Sequence, residues 1–191
     1  MVYGALGRIW LDVALSGGDR PDAIGKALEA LERAASSSTA TSGVKALYGR
    51  ALMHDRQLEA AEQVLRQATE RFPVEPSAFA DYAAVAEQLR HFDAARTALA
   101  TYDALVGDDR DFPARALKIG TLSLALGDAE TAVAWLQKAS ALRPNDANVW
   151  AALADAELRT GDKTSARQAV EHGLRLEPDS ARLRTLLRKA S

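Results

Sequence analysis

The sequence has no cysteine, few aromatic residues (6%) and no long uninterrupted apolar run. The first absence excludes disulfide staples, thiolate nucleophiles and cysteine-ligated zinc, while leaving the redox compartment open. The last excludes a membrane-spanning helix, which needs about 18 or more consecutive apolar residues. Net charge is nearly absent as well: 24 Lys and Arg against 26 Asp and Glu leave a formal charge of −2 over 191 residues. No overall basic field exists of the kind that draws a protein onto nucleic acid. The three histidines, His54, His91 and His172, are scattered and without cysteine do not build a metal site. No nucleophile stands beside a base, and Ser16–Asp19 has glycines without the spacing or the strand of a phosphate loop, so it reads as a turn between helices. No catalysis, cofactor or metal is expected. The opening stretch lacks the basic start and small-residue cleavage pattern of a secretory signal. The chain reads as cytoplasmic as written, or periplasmic if it is a fragment of a longer exported protein.

What the chain does have is punctuation at a fixed interval. The stretch "ALRPNDANVWAALADAELRTGD" begins at Ala141, and its opening returns in "RLEPDSARLRTLL", so that Pro144 and Pro178 stand 34 residues apart. Between them Val149, Trp150, Leu153, Ala154, Ala156 and Leu158 fall close to one face of a helix of period 3.6. Gly161 and Asp162 close that helix and cap another, whose inner positions are Ala166, Ala169, Val170, Gly173, Leu174 and Leu176; Pro178 then stops it. A sibling hairpin lies one period upstream, with Ile119, Gly120, Gly127, Asp128, Ala132, Leu136, Ala139, Leu142 and Pro144 in the corresponding places.

This pattern resembles the tetratricopeptide repeat, a 34-residue helix–turn–helix unit with W-x2-L-G-x2-Y in its first helix and A-x3-F followed by Pro in its second. Trp150, Leu153, Ala154, Gly161, Ala166, Val170, Gly173 and Pro178 carry the match, and Glu157 departs from it where the aromatic would stand. A unit at 76–109 supplies Phe79, Tyr82, Ala83, Ala86, Ala95, Leu99 and Tyr102, followed by three extra residues, Arg110 to Phe112. A unit at 42–75 supplies Tyr48, Gly49, Leu52, Ala61, Leu65, Ala68 and Pro73. The first unit is atypical: Tyr3, Leu6, Gly7 and Trp10 match a first helix and Ala23, Ala27 and Ala30 a second, but the link between them is about four residues too long.

The resemblance implies an all-α solenoid of about five helix–turn–helix units. It forms a single array over 1–191, with approximate units 1–41, 42–75, 76–112, 113–146 and 147–180, and 181–191 as a C-terminal capping helix. A lone pair of short helices cannot bury both apolar faces, so each unit must shield the next, and stacking in register demands a fixed length. Small residues such as Gly120 and Ala166 belong at close helix contacts, and Trp10 and Trp150 belong in the core. Ser36 to Gly43, rich in Ser and Thr, reads as a flexible loop between units.

The resemblance also implies a function: first helices line a concave surface that takes up an extended peptide or a helix of a partner. Its groove-facing places hold Arg8, Leu11 and Asp12; Arg50, Met53 and His54; Glu87 and Gln88; Leu117, Thr121 and Leu124; and Asp155, Leu158 and Arg159. Leu11, Met53, Leu124 and Leu158 share one repeat position. They either meet hydrophobic side chains of a partner or pack between neighbouring first helices. The residues with which some members hold a peptide carboxylate are not present, since Ala46, Arg50, Asp81, Ala114 and Lys118 occupy those places. Arg8 and Arg50 remain as attractors of an acidic group. The expected function is a non-catalytic protein–protein interaction scaffold with a protein or peptide partner, no nucleic acid and no membrane insertion. The alternative is a spacer or self-associating segment of a larger assembly or envelope protein, a homo-oligomer through the array ends.

Overall fold

Alanine and leucine at helical spacing, interrupted by glycine and proline, fold here as helix after helix. The computed structural model describes residues 2–17, 20–107 and 109–191, and among the described residues there are eleven α-helices and no strand. The fold is an all-α solenoid. The chain divides into two compact units, Met1–Leu105 and Val106–Ser191.

The first unit holds α1 (Val2–Leu15), α2 (Ala23–Ala35), α3 (Ser42–His54), α4 (Leu58–Thr69), α5 (Ser77–Gln88) and α6 (Phe92–Val106), the last residue of α6 belonging to the second unit. Successive helices pack on one another from α1 to α5, and the first helices of successive hairpins also touch, α1 on α3 and α3 on α5. The second unit holds α7 (Phe112–Ala125), α8 (Ala129–Leu142), α9 (Ala147–Thr160), α10 (Lys163–Leu176) and α11 (Ala181–Ala190), with α7, α9 and α11 again in contact.

Three hairpins close on the same device. A Cβ built on Gly7 would lie 2.5 Å from Leu31 Cγ, one on Gly49 2.4 Å from Leu65 Cγ, and one on Gly120 2.6 Å from Leu136 Cγ. Each leucine is fully buried, so the second helix presses a branched side chain against bare backbone of the first. Any larger residue at those glycines would overpack the contact.

The turns inside the hairpins share one hydrogen-bond pattern. The amides of Gln57, His91, Asp128 and Asp162 donate to the carbonyls of Leu52, Ala86, Ser123 and Glu157, at 2.8 to 2.9 Å. This i→i−5 closure needs a left-handed residue just before the donor. Gly127 and Gly161 supply it at φ 80° and 86°, whereas Arg56 and Arg90 adopt φ 64° and 63°. Asp128 and Asp162 then cap the next helix, accepting from the Thr131 and Ser165 amides at 3.2 and 3.0 Å. Those Ser165 bonds hold the Asp162 carboxyl below its usual range.

Two details differ from the sequence reading. The Ser36–Gly43 stretch is not a free loop, because Ser42 already belongs to α3 and its buried Oγ donates to Ala68 O at 2.8 Å and accepts from the Glu75 amide at 3.0 Å. A short hydroxyl therefore ties the start of one hairpin to the end of its own second helix. Phe112 is not linker either: it opens α7, with Pro113 in the first turn. The Ser16–Asp19 turn falls partly on Gly18 and Asp19, outside the described residues. At the other end α11 covers the last hairpin as expected, burying Leu183 and Leu186. No helix among the described residues is long and apolar enough to cross a membrane.

Candidate functional site

The first helices α7, α9 and α11 lie side by side, α7 against α9 and α9 against α11, and the repeat length sets equivalent positions in register across them. Ala114, Asn148 and Arg182 stand 34 residues apart, as do Thr121, Asp155 and Lys189. Two open depressions follow from this ladder. One, of about 220 Å³, is lined by Ala114, Leu117, Lys118, Thr121, Asn148, Ala152 and Arg182. The other, of about 420 Å³, is lined by Asp155, Ala181, Arg182, Thr185, Leu186 and Lys189. Arg182 borders both.

Arg159 completes this surface, its Nη1 donating to Leu124 O at 2.8 Å and its Nη2 to Asp155 Oδ2 at 3.1 Å. It thus satisfies an end carbonyl of α7 while neutralising Asp155. Against that one carboxylate the surface carries Lys118, Arg159, Arg182 and Lys189, a net +3 on a chain whose formal charge is −2. Among the described residues Arg182 and Lys189 have no hydrogen-bond or ion-pair partner. By contrast Arg184, two residues from Arg182 and on another face of α11, is held by Pro178 O and Asp179.

The sequence-predicted groove residues separate into distinct environments. In the second unit, Leu117, Thr121 and Asp155 line the depressions. Leu124 is buried, and Leu158 packs on the same core cluster as Leu153 and Val170. In the first unit Leu11 is buried with Leu31 and Ala51, and Met53 packs on the cluster around Leu65. The shared apolar position thus serves packing between helices: Leu11 and Leu124 are not groove contacts, because no surface of consequence is left on them. Arg8, Asp12, His54 and Gln88 are exposed, and Glu87 is half-buried.

Arg50 is already engaged, since its Nε donates to Asp81 Oδ2 at 2.6 Å, linking α3 to α5. Burial pushes the Asp81 carboxyl above its usual value even though Arg50 pulls the other way, so desolvation outweighs the pairing there. The expectation that Arg50 attracts a partner's acid is therefore met from within the chain. What the sequence reading missed is Asn148, Arg182, Thr185 and Lys189. Stepping the 34-residue interval once more beyond residue 180 would have found three of them, but treating 181–191 only as a cap stopped the ladder short.

Two further expectations are refined. Trp150 packs on the core cluster, stacks on His172 at 4.5 Å and donates from Nε1 to Pro144 O at 2.8 Å. Trp10 is only half core: the Lys26 ammonium lies 4.5 Å from its ring centroid, and with Tyr3 it lines a shallow depression of about 130 Å³ between α1 and α2. Glu157, in the place of the repeat's aromatic, is 5% exposed with Oε2 unpartnered among the described residues, and burial followed by nearby Asp162 pushes its carboxyl up to about 7.

Family models described as tetratricopeptide repeat match residues 10–76 and 123–190. No curated protein matches the chain. Among solved structures, YrrB, described as a TPR protein with an unusual peptide-binding site, is similar with a TM-score of 0.79 at 12% identity, over 97% of this chain and 90% of that one. MamA from Desulfovibrio magneticus RS-1 is similar with a TM-score of 0.71 at 19% identity, over 94% of this chain and 97% of that one. The APC/C hetero-tetramer Cut9–Hcn1 is similar with a TM-score of 0.60 at 21% identity, and there this chain spans only 36% of the matched chain. At such identities the likeness is one of fold.

Proposed function

We propose, from the premise that this chain belongs to the tetratricopeptide repeat family, that it is a non-catalytic scaffold holding an acidic segment of a partner protein over α7, α9 and α11. The observation that carries this reading is that the Arg182 and Lys189 cations, without hydrogen-bond or ion-pair partners among the described residues, border the two depressions on a chain of net charge −2. Like-signed side chains presented together raise the local concentration of oppositely charged ligand and speed its capture. The Asn148 amide and the Thr121 and Thr185 hydroxyls offer both donors and acceptors to an extended backbone. Large apolar residues of this face are mostly spent on packing, so the partner contributes carboxylates rather than a greasy helix. The peptide-binding site named for YrrB lends support to a peptide as the occupant. An RNA strand is disfavoured because no aromatic side chain lines either depression to stack a base.

Fluorescence anisotropy with a labelled Glu/Asp-rich peptide tests this, against a Gln/Asn peptide of equal length and a uridine oligonucleotide. The acidic peptide is expected to bind with strong salt dependence, and Arg182→Glu is expected to weaken it by about tenfold or more. Arg184→Glu, on the same helix but facing Asp179, should leave binding unchanged. Equal binding of the neutral peptide, preference for the oligonucleotide, or indifference to Arg182→Glu would each defeat the reading.

A further inference from the structure

One carboxylate, Asp155, borders the two depressions among the described residues. Its Oδ2 accepts from Arg159 Nη2, while its Oδ1 makes no hydrogen bond among the described residues. Arg159 divides itself between Asp155 and Leu124 O, so it closes only one side of the carboxylate. The other wall of the larger depression is α11, which brings Arg182 and Lys189 without partners of their own among the described residues. A bare acceptor on α9 therefore stands across an opening of about 420 Å³ from bare donors on α11.

A partner side chain entering this space meets both walls. A carboxylate gains Lys189 but brings like charge up to Asp155 and gives Oδ1 no donor. Lys189 is exposed, and exposed ion pairs contribute little. The Asp155 side chain is only 26% exposed, so repulsion and the loss of water without a replacement donor weigh more on its side. A lysine or arginine meets the reverse, two cations on α11. A carboxamide satisfies both walls, its N–H donating to Asp155 and its oxygen accepting from Lys189. From this we infer that Asp155 sets the specificity of the face: the partner places an Asn or Gln side chain against it, three residues from the carboxylate that Arg182 holds. This rests on the acidic-partner reading above and narrows it to a charge pattern. The spacing comes from α9, where Asn148 in the smaller depression and Asp155 in the larger stand seven positions, about 10 Å, apart. In an extended polyproline II chain, side chains three residues apart share one side at about 9 Å.

The test is anisotropy of the intact chain with the labelled peptide Gln-Ser-Ser-Glu-Ser-Ser-Gln and two relatives, each with one terminal Gln replaced by Glu. The two relatives cover both chain directions. In the parent, one replacement should weaken binding about fivefold or more, because it sets a carboxylate on Asp155, and the other should strengthen it through general attraction to the basic surface. Asp155→Asn keeps an acceptor for Arg159 and offers a donor to a carboxylate, so there both replacements should strengthen binding. The ratio of affinities within each protein is the readout, which cancels the general gain in positive charge and any loss of folded protein. Strengthening by both replacements in the parent, or an Asp155→Asn variant that keeps the parent's preference, would overturn the inference while leaving the acidic-partner reading intact. If the first peptide does not bind, or if changing its central Glu to Gln costs no affinity, the acidic-partner reading itself falls and the inference with it.

Discussion

Glu157 shows what one departure from a repeat signature costs. Its carboxyl is pushed up to about 7, against 4.5 for the free side chain, because it is buried and Asp162 lies near. Between those values the folded chain binds a proton that the unfolded chain has released, so this group's contribution to stability is fullest below pH 4.5, falls as pH rises, and levels off above about 7. The loss across that window is on the order of 3 kcal/mol. Urea unfolding at pH 5 and pH 8 checks it: Glu157→Gln should lose less stability than the parent between the two, by roughly 2 to 3 kcal/mol. Equal losses would show that the carboxyl finds solvent or a partner at high pH. The sequence made Glu157 legible as an oddity, but its burial depends on α9 lying between α8 and α10, which composition cannot report.

At the level of the element, the hairpin turns expose a strain that pattern matching passes over. Gly127 and Gly161 announced two turns in the sequence, and the structure builds the same closure at Arg56 and Arg90 with side chains in left-handed conformation. A non-glycine residue there costs about 1 to 2 kcal/mol, while glycine costs about 0.4 to 1 kcal/mol through the freer unfolded chain. The first outweighs the second, so Arg56→Gly should stabilise the protein by roughly 0.5 to 1 kcal/mol, read as a higher urea midpoint with unchanged slope. A lower midpoint would mean that the Arg56 side chain contributes contacts worth more than the strain. Most elements were legible because 3.6-residue periodicity survives between glycine and proline breaks. The tie from Ser42 to Ala68 and Glu75 was not, since a serine in a Ser/Thr-rich stretch looks the same whether solvated or locked. Nor was the Arg50–Asp81 pair: 31 positions separate its members, and only the α3–α5 contact brings them together.

Across the whole molecule, the 34-residue interval fixes both the fold and the candidate surface, because positions one repeat apart line up on adjacent first helices. Extending that ladder from Ala114 and Asn148 to Arg182 makes the terminal helix part of the proposed binding face as well as a cap. Stacking only on sequence neighbours also means that the molecule need not unfold all at once. Its three tryptophans are spread along the chain: Trp10 under the Lys26 ammonium in the first hairpin, Trp135 tilted against Phe112, and Trp150 stacked on His172 within a core that α11 closes. Each indole therefore serves as a local optical gauge. With two of the three changed to Phe, the emission of Trp10 should shift at lower denaturant than that of Trp150, and superimposable curves would show that melting is concerted after all. The chain thus carries, at known stations along its length, the means of watching it come apart one hairpin at a time.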